Sequence, residues 1–444
     1  MAGTTIPAEW TGGRFRMTGP AAVGWVDDFE SARLTSLVGE AVSENYNLAA
    51  GRSRVLQVLE RARVANAARI PSVDGGLSAS RSQNLRGAAF RTVTASNYNL
   101  TLDLSWEVDL WGRVKNLRDQ QLDLAVAETN IYEWSRLSLA ATVVKTAMEI
   151  AESHEQIRIA RENLKSLKTN LNILDSRLEA GAGDDRTALD ISLSRADVAR
   201  ANSSILVEQR QIDSARRSLE ILLGRYPKGE IEALSSLPRM GRRIPAGLPS
   251  ELLLRRPDLL AAEAQVDAKL NDVAANRKAL LPAFRLTSRG GTSNTTVFED
   301  LFNIQNLIWN IGGNLTRPIY AGGQLRADIR LSEHERDELV ANYADKALTA
   351  FREVETALSS ENYLVKQMEA LQVAVTEARR AEKLSLSQYE KGLTDIITLL
   401  ESERRYFTAQ SSLLQVKLQL LQNRVDLYLA LGGDFDHKAL EQQK

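Results

Sequence analysis

Three carboxylates, Asp103, Glu107 and Asp109, occupy odd-numbered positions of the stretch YNLTLDLSWEVDLWG (98–112), where every even-numbered position from Tyr98 to Leu110 is apolar. Strict alternation is the period of a β-strand, whose successive side chains point to opposite faces. One face then carries Leu100, Leu102, Leu104 and Trp106, and the other carries Asn99, Thr101, Asp103, Ser105 and Glu107. Two such faces make and break no bonds. They suit two surroundings, one apolar and one aqueous, as in a soluble sheet packed on a helix or a barrel wall in lipid.

Bond-making chemistry finds few candidates elsewhere. The chain has no cysteine, which removes thiolate catalysis, disulfides and Cys-based zinc sites together. Its three histidines, His154, His334 and His437, are far apart, so no metal-binding set is expected. No Gly-rich phosphate loop follows a strand and no Ser/His/Asp constellation is visible, so the chain reads as a non-enzyme without a cofactor. A formal net charge of −1 and scattered aromatics give no footprint for nucleic acid. With 43% hydrophobic and 25% charged residues over 444 positions, the composition is that of a folded chain with room for a large core.

The elements that must position the alternating strand are written twice. At an offset of 211, Gly112 falls on Gly323, Leu137 on Leu348, Val143 on Val354 and Gly181 on Gly392; beyond the tips the offset is 208, with Leu223-Gly224 on Leu431-Gly432. The three-residue difference lies near GAGDDRTALD (181–190), and a length change of that kind marks a turn. The repeats run over about 31–224 and 251–432, interleaved in a single unit, with equatorial segments at about 1–30, 225–250 and 433–444. Under the first offset Tyr98 maps to Trp309, Leu104 to Leu315 and Asp103 to Asn314, so the second copy has its own, weaker strand.

Strands are expected at about 71–83, 98–111, 282–291 and 307–320, and the connections at 84–97 and 292–306 read as long exposed loops. Between strands the period becomes helical. Residues 113–180 and 324–391 contain neither Pro nor Gly, and apolar residues recur at spacings of three and four. Shorter helices are expected at about 31–69, 187–223, 251–281 and 395–431. Each long helix matches two short ones end to end, giving two helical hairpins with the strands gathered at one end.

A four-stranded sheet with one apolar face must bury it. The thirteen residues from Tyr98 to Leu110 exceed an ordinary strand of about five or six and suffice to cross a bilayer, which takes about nine to eleven. Lipid on the Leu100, Leu102, Leu104, Trp106 and Trp309 side and a water-filled lumen on the Asp103, Glu107 and Asp109 side satisfy both faces. Open sheet edges are not tolerated in hydrocarbon, and four strands cannot close alone. Several copies must close the barrel together; two would give eight strands and three would give twelve. The rival reading is a soluble coiled-coil scaffold for partner proteins, which explains the helices and leaves the strand unexplained. The N-terminus MAGTTIPAEWTGGRFRMTGP has no apolar run of the kind a secretory signal needs, so by itself it reads as cytoplasmic or as a chain whose signal has been removed.

SWEVDLWGRVKN (105–116), LTRPIYAGGQLRA (315–327), IPAGLPSELLLRRPDLLAAEAQVDA (244–268) and YEKGLTDIITLLESERRYFTAQ (389–410) closely resemble the TolC-like outer-membrane efflux proteins, nearest to the branch that serves resistance-nodulation-division pumps. The likeness runs from GWVDDFESARL (24–34) to LALGG (429–433). It implies a mostly α-helical homotrimer with a twelve-stranded barrel in the outer membrane of a Gram-negative bacterium and a helical tunnel in the periplasm. It further implies a passive exit duct docked to a periplasmic membrane-fusion adaptor and an inner-membrane pump that selects and drives the substrate. Relatives in this branch begin with a lipidated cysteine after a signal peptide, and the present sequence has neither.

The family closes its tunnel at the helical tips with rings of acidic residues. The tips here, 181–190 and 392–401, hold Asp184, Asp185, Asp190, Asp395 and Glu401. The resemblance points first to Glu401 and to Asp190, its counterpart in the other repeat. The plainer reading is helix-start charge favoured by the helix dipole. Tyr389 and Arg186 are the candidates for an interhelical latch, with packing as the alternative for Tyr389.

Overall fold

A computed structural model describes residues 24–86, 91–179, 185–239, 255–295 and 298–433; for 85, 86, 91, 185–187, 299 and 300 only the backbone is described. The elements, in chain order, are α1 (Ala32–Glu44), α2 (Tyr46–Ala67), β1 (Ser72–Arg86), β2 (Arg91–Val108), α3 (Arg113–Glu179), α4 (Asp185–Leu222), α5 (Pro257–Lys278), β3 (Ala283–Asn294), β4 (Leu307–Thr316), α6 (Gln324–Glu390) and α7 (Ile396–Ala430). Short 3-10 turns occur at Trp25–Phe29, Glu299–Phe302 and Ile304–Asn306. Contacts divide the chain into two compact units, and each draws segments from both repeats.

The first unit comprises residues 24–52, 132–259 and 345–433 of the described chain. Its main core gathers Trp25, Phe29, Leu34 and Leu37 with Leu137, Val143, Ala147 and Met148 of α3, Leu219 of α4 and Val425 and Tyr428 of α7. Small residues along α3, including Ala140, Val143, Val144 and Ala147, are fully buried, which lets neighbouring helices approach closely. The Trp25 and Tyr428 rings stack at 5.2 Å, and the Tyr428 hydroxyl donates to Asp28. Burial and that carboxylate together push the Tyr428 hydroxyl well above the usual phenol range.

Where the sequence suggests one helix over 31–69, the chain breaks at Asn45. Its amide donates to the Leu222 carbonyl at 2.9 Å, and its side-chain oxygen accepts from the Asn47 and Leu48 backbone N–H groups at 2.9 and 3.1 Å. One buried side chain thereby ends α1 and caps α2. The two repeats carry matching helix ends at Gly224 and Gly432, both left-handed with φ near 70°. An added Cβ would lie 2.4 Å from the Glu44 carbonyl oxygen at Gly224 and 2.9 Å from that of Arg255 at Gly432. Only glycine fits either position.

The second unit, residues 53–131 and 260–344, holds an antiparallel sheet in the order β1-β2-β3-β4. The first hairpin is much longer than its alternation suggests, since β1 and β2 pair from Ser72↔Ser105 to Arg86↔Arg91. Within 84–97, expected as a loop, residues 84–86 and 91–97 are therefore strand; Asn84, Thr92, Thr94 and Asn97 are polar, and backbone pairing overrides their weak pattern. Conversely β2 ends at Val108, before the expected boundary at 111, because the next residues turn into α3. Beside the sheet, Asn116 of α3 and Asn271 of α5 bond at 3.1 Å and Asn271 donates to Asp123 at 2.8 Å. No helix among the described residues is long and apolar enough to cross a membrane.

Candidate functional site

Register decides what each face of the sheet carries, because directly paired residues of antiparallel strands share a face. Leu104 pairs with Val73 and Ser288, Leu100 with Leu77 and Thr292, and Trp106 with Leu286. Across β3 and β4, Phe284 pairs with Leu315, Ser288 with Ile311 and Gly290 with Trp309. Leu100, Leu102, Leu104, Trp106 and Trp309 thus lie on one continuous face, and Trp309 and Leu102 are strongly exposed. The Trp106 indole donates to the Arg69 carbonyl at 3.0 Å, which places this ring at the end of the sheet next to α2.

On the other face the carboxylates are partnered. Asp103 pairs with Arg289 directly across β2 and β3, and Glu107 accepts from Arg113 at 2.7 and 3.2 Å. Asp109, expected on the same lumenal face, lies beyond the strand. Its two oxygens accept from the Val114 and Lys115 backbone N–H groups at 3.1 and 2.8 Å, so it caps the first turn of α3. Unsatisfied N–H groups at a helix start attract a carboxylate more strongly than open water does.

The tip site is built from four helices of the first unit. Leu174 of α3, Ile191 of α4, Tyr389 of α6 and Ile396 and Leu399 of α7 form a small buried core. Tyr389 is 4% exposed; its hydroxyl accepts from Arg177 at 3.1 Å, and the same guanidinium lies 4.8 Å from its ring centre. Arg177, in the last turn of α3, is the residue that sequence reasoning missed, while the Arg186 side chain is outside the described residues. Burial and the charge of nearby Asp190 push the Tyr389 hydroxyl up, against the pull of Arg177. Asp190 on α4 directly precedes Ile191 of that core.

The remaining tip carboxylates separate by role. Asp395 is the N-cap of α7 and accepts from the Thr398 N–H at 2.9 Å. Gly392, left-handed at φ 71°, ends α6 with its N–H bonded to the Tyr389 carbonyl. Glu401 is partly exposed and binds Arg404 and Arg405 of its own helix, each through Nε at 2.8 Å. Hydrogen bonds from Arg405 and then Arg404 hold its carboxyl below the usual range. Asp184 lies outside the described residues, as does Gly181; Asp185 opens α4, with its backbone alone described.

Two residues away, Glu403 is 2% exposed on the opposite side of α7. It accepts from Ser166 at 2.7 Å and from Asn170 at 3.0 Å, joining α7 to α3, and burial raises its carboxyl above the ordinary range. No spacing in the sequence singles it out, since an acidic residue in a charged helix reads as surface.

The model of the outer membrane efflux protein family matches residues 37–225 and 248–433, nearly the whole described chain. The chain belongs to this family. The pyoverdine export outer membrane protein OpmQ of Pseudomonas aeruginosa is 32% identical over 456 residues, spanning 97% of this chain and 92% of the relative. The cation efflux system protein CusC of Escherichia coli K12 is 27% identical over 92% of this chain and 88% of its own length. Among solved structures, the Campylobacter jejuni CmeC outer membrane channel superposes with a TM-score of 0.92 at 22% identity, covering all of this chain and 96% of the other. The open-state MtrE outer membrane channel of Neisseria gonorrhoeae gives 0.85 at 25% identity, over 96% and 95%.

As an outer-membrane efflux protein the chain has the mostly helical, TolC-like fold, and its place is the outer membrane of a Gram-negative bacterium with extension into the periplasm. The RRPDL portion of the motif that carried the resemblance has a structural account. Arg256 is buried; it binds Asp258 at 2.9 Å, Glu353 at 2.5 Å and the Ala430 carbonyl at 3.3 Å, and lies 4.8 Å over the Trp134 ring. It joins the start of α5 to α3, α6 and α7. The preceding part of that motif, through Leu254, is outside the described residues.

Proposed function

We propose that the chain is the exit duct of a tripartite efflux system, conducting small compounds passively through a barrel shared by three copies. The observation that carries this reading is the register-continuous apolar face of a four-stranded sheet whose outer strands, β1 and β4, have no further neighbour in the described chain. A sheet of this kind in a bilayer closes only with other copies, and three give twelve strands. The exposed apolar residues Leu56 and Val64 of α2 and Leu331 and Val340 of α6 offer further surface for neighbouring copies.

Energy and selection then come from an inner-membrane pump of the resistance-nodulation-division type, reached through a periplasmic adaptor. The relatives named for pyoverdine export and cation efflux carry chemically different cargoes, which fits a duct lined by general polarity. The aperture is assigned to the tip, where the Arg177–Tyr389 contact holds α3 against α6 and the carboxylates of Asp190 and Glu401 bias passing ions. Asp395, Asp184 and Asp185 are secondary members of that charge set.

The test is single-channel recording in planar bilayers after confirming a trimer by mass. Asp190→Ala should reduce cation preference. Glu401→Ala should shift preference toward anions, because it leaves Arg404 and Arg405 without their counter-charge. Arg177→Ala should raise the open conductance. Conductance and selectivity unchanged in all three would remove the aperture from the tip, and a monomeric, detergent-independent protein would favour the soluble scaffold.

A further inference from the structure

The connection between β3 and β4 does not simply loop past the end of the sheet. Thr292 is 9% exposed, and its hydroxyl donates to the Leu301 carbonyl at 2.5 Å. Leu301 is itself 1% exposed. The Phe298 ring meets Tyr98 edge-on at 5.8 Å and Phe302 at 6.2 Å. Thr292 pairs with Leu100 and with Leu307, and Tyr98 precedes Leu100 by two residues, so all four lie on the apolar face of the sheet. The turn Glu299–Phe302 therefore folds down onto that face and away from the face bearing Asp103 and Glu107.

Having buried Leu301, the segment leaves its remaining apolar side chains outward. Phe302 is 72% exposed and Ile304 is 80% exposed, next in the chain to Leu307 and Trp309 of β4, which lie on the apolar face. Asn303 fixes the second turn by accepting from the Gln305 N–H at 3.1 Å, so the exposed residues are held on folded backbone. Orienting Phe302 and Ile304 into water on a braced turn would forfeit the free energy of burying two large apolar side chains.

We infer that residues 298–304 form a lipid-anchoring wedge on the outside of the barrel, seating Phe302 and Ile304 in the polar–apolar boundary of the outer leaflet. The occupant is lipid because this patch is continuous with the face that the proposed barrel turns to hydrocarbon, and this inference rests on that reading. Aromatic and aliphatic side chains on a rigid turn suit that boundary. The wedge would fix the depth of the barrel from the outside, independently of the strand-end tryptophans.

The absence of cysteine makes the test direct. Single-cysteine variants Phe302→Cys, Ile304→Cys, Leu102→Cys and Asn310→Cys carry a nitroxide label in the full chain, reconstituted in phosphatidylcholine vesicles. Relaxation by dissolved oxygen, which enriches in lipid, is compared with relaxation by a water-soluble nickel chelate. The expected result is an oxygen-to-nickel ratio at 302 and 304 severalfold above that at 310 and approaching that at 102. Nickel-dominated relaxation at 302 and 304 with oxygen dominance retained at 102 would overturn the wedge and leave the barrel standing. Nickel dominance at 102 as well would remove the barrel reading and the wedge with it. Should Phe302→Cys fail to reconstitute, Ile304→Cys alone decides the matter, since its side chain packs on little.

Discussion

At the scale of single residues, charge is either paired or cradled. Glu220, 4% exposed, accepts from the backbone N–H groups of Gly229, Glu230 and Ile231 at 2.6, 2.9 and 3.1 Å. Burial opposes its charge, yet those three donors hold its carboxyl below the ordinary range. Its stabilising contribution is therefore present above the ordinary glutamate pKa of about 4.3 and is lost as pH falls through the lower folded value. Glu220→Gln should lower the melting temperature at pH 7 and differ little from wild type in strong acid, as calorimetry across pH would show. Glu403 has the opposite sign. Its raised carboxyl favours the protonated form, so its contribution is full below the ordinary pKa and is lost as pH rises through the folded value. Glu403→Gln should equal or exceed wild-type stability at pH 7, with the advantage vanishing in acid. Arg256→Met strands Asp258 and Glu353 and should cost about 3–5 kcal/mol in denaturant unfolding, a loss that Arg256→Lys recovers only in part.

At the scale of elements, the helix ends at Gly224 and Gly432 show how the repeat is enforced by backbone. Gly224→Ala combines a left-handed φ with a 2.4 Å approach to the Glu44 carbonyl, and about 1–3 kcal/mol of destabilisation is expected in thermal melts. The Gly39→Ala control meets nothing within 4 Å and should be neutral or stabilising. Helices and strands were legible because their signals are periodic and local: unbroken apolar spacing over 113–180, alternation over 98–110, and turn glycines at matched offsets. What escaped was whatever depends on a distant partner. The break at Asn45 answers to the Leu222 carbonyl, and the strand character of 84–86 and 91–97 answers to pairing across their own hairpin. The candidate site divides along the same line. The faces of Leu100 and Asp103 follow from parity alone. The pairing of Tyr389 with Arg177 requires α3 and α6 to be side by side. Glu401 reads as an aperture carboxylate or a helix-start charge, and the structure pairs it with arginines three and four residues on, one helical turn away.

At the scale of the whole molecule, the proposed trimer has the sheet finished by other copies of itself. Among the described residues each chain brings one open strand edge at β1 and another at β4, on either side of two strands already satisfied. Backbone pairing across those edges is indifferent to side-chain identity, so it is blocked most cleanly by removing donors: prolines at two alternate positions of β4, such as Asn310 and Gly312, should abolish trimers in cross-linking while leaving β1 to β3 paired. A chain damaged at one edge still presents the other, and it would be drawn into assemblies with healthy copies. Expressed in equal amount beside the intact protein, such a variant should leave only about one trimer in eight free of a faulty seam. On the proposed trimer, efflux in a cell carrying both alleles should then fall far below half, and partial loss of this protein would be genetically dominant.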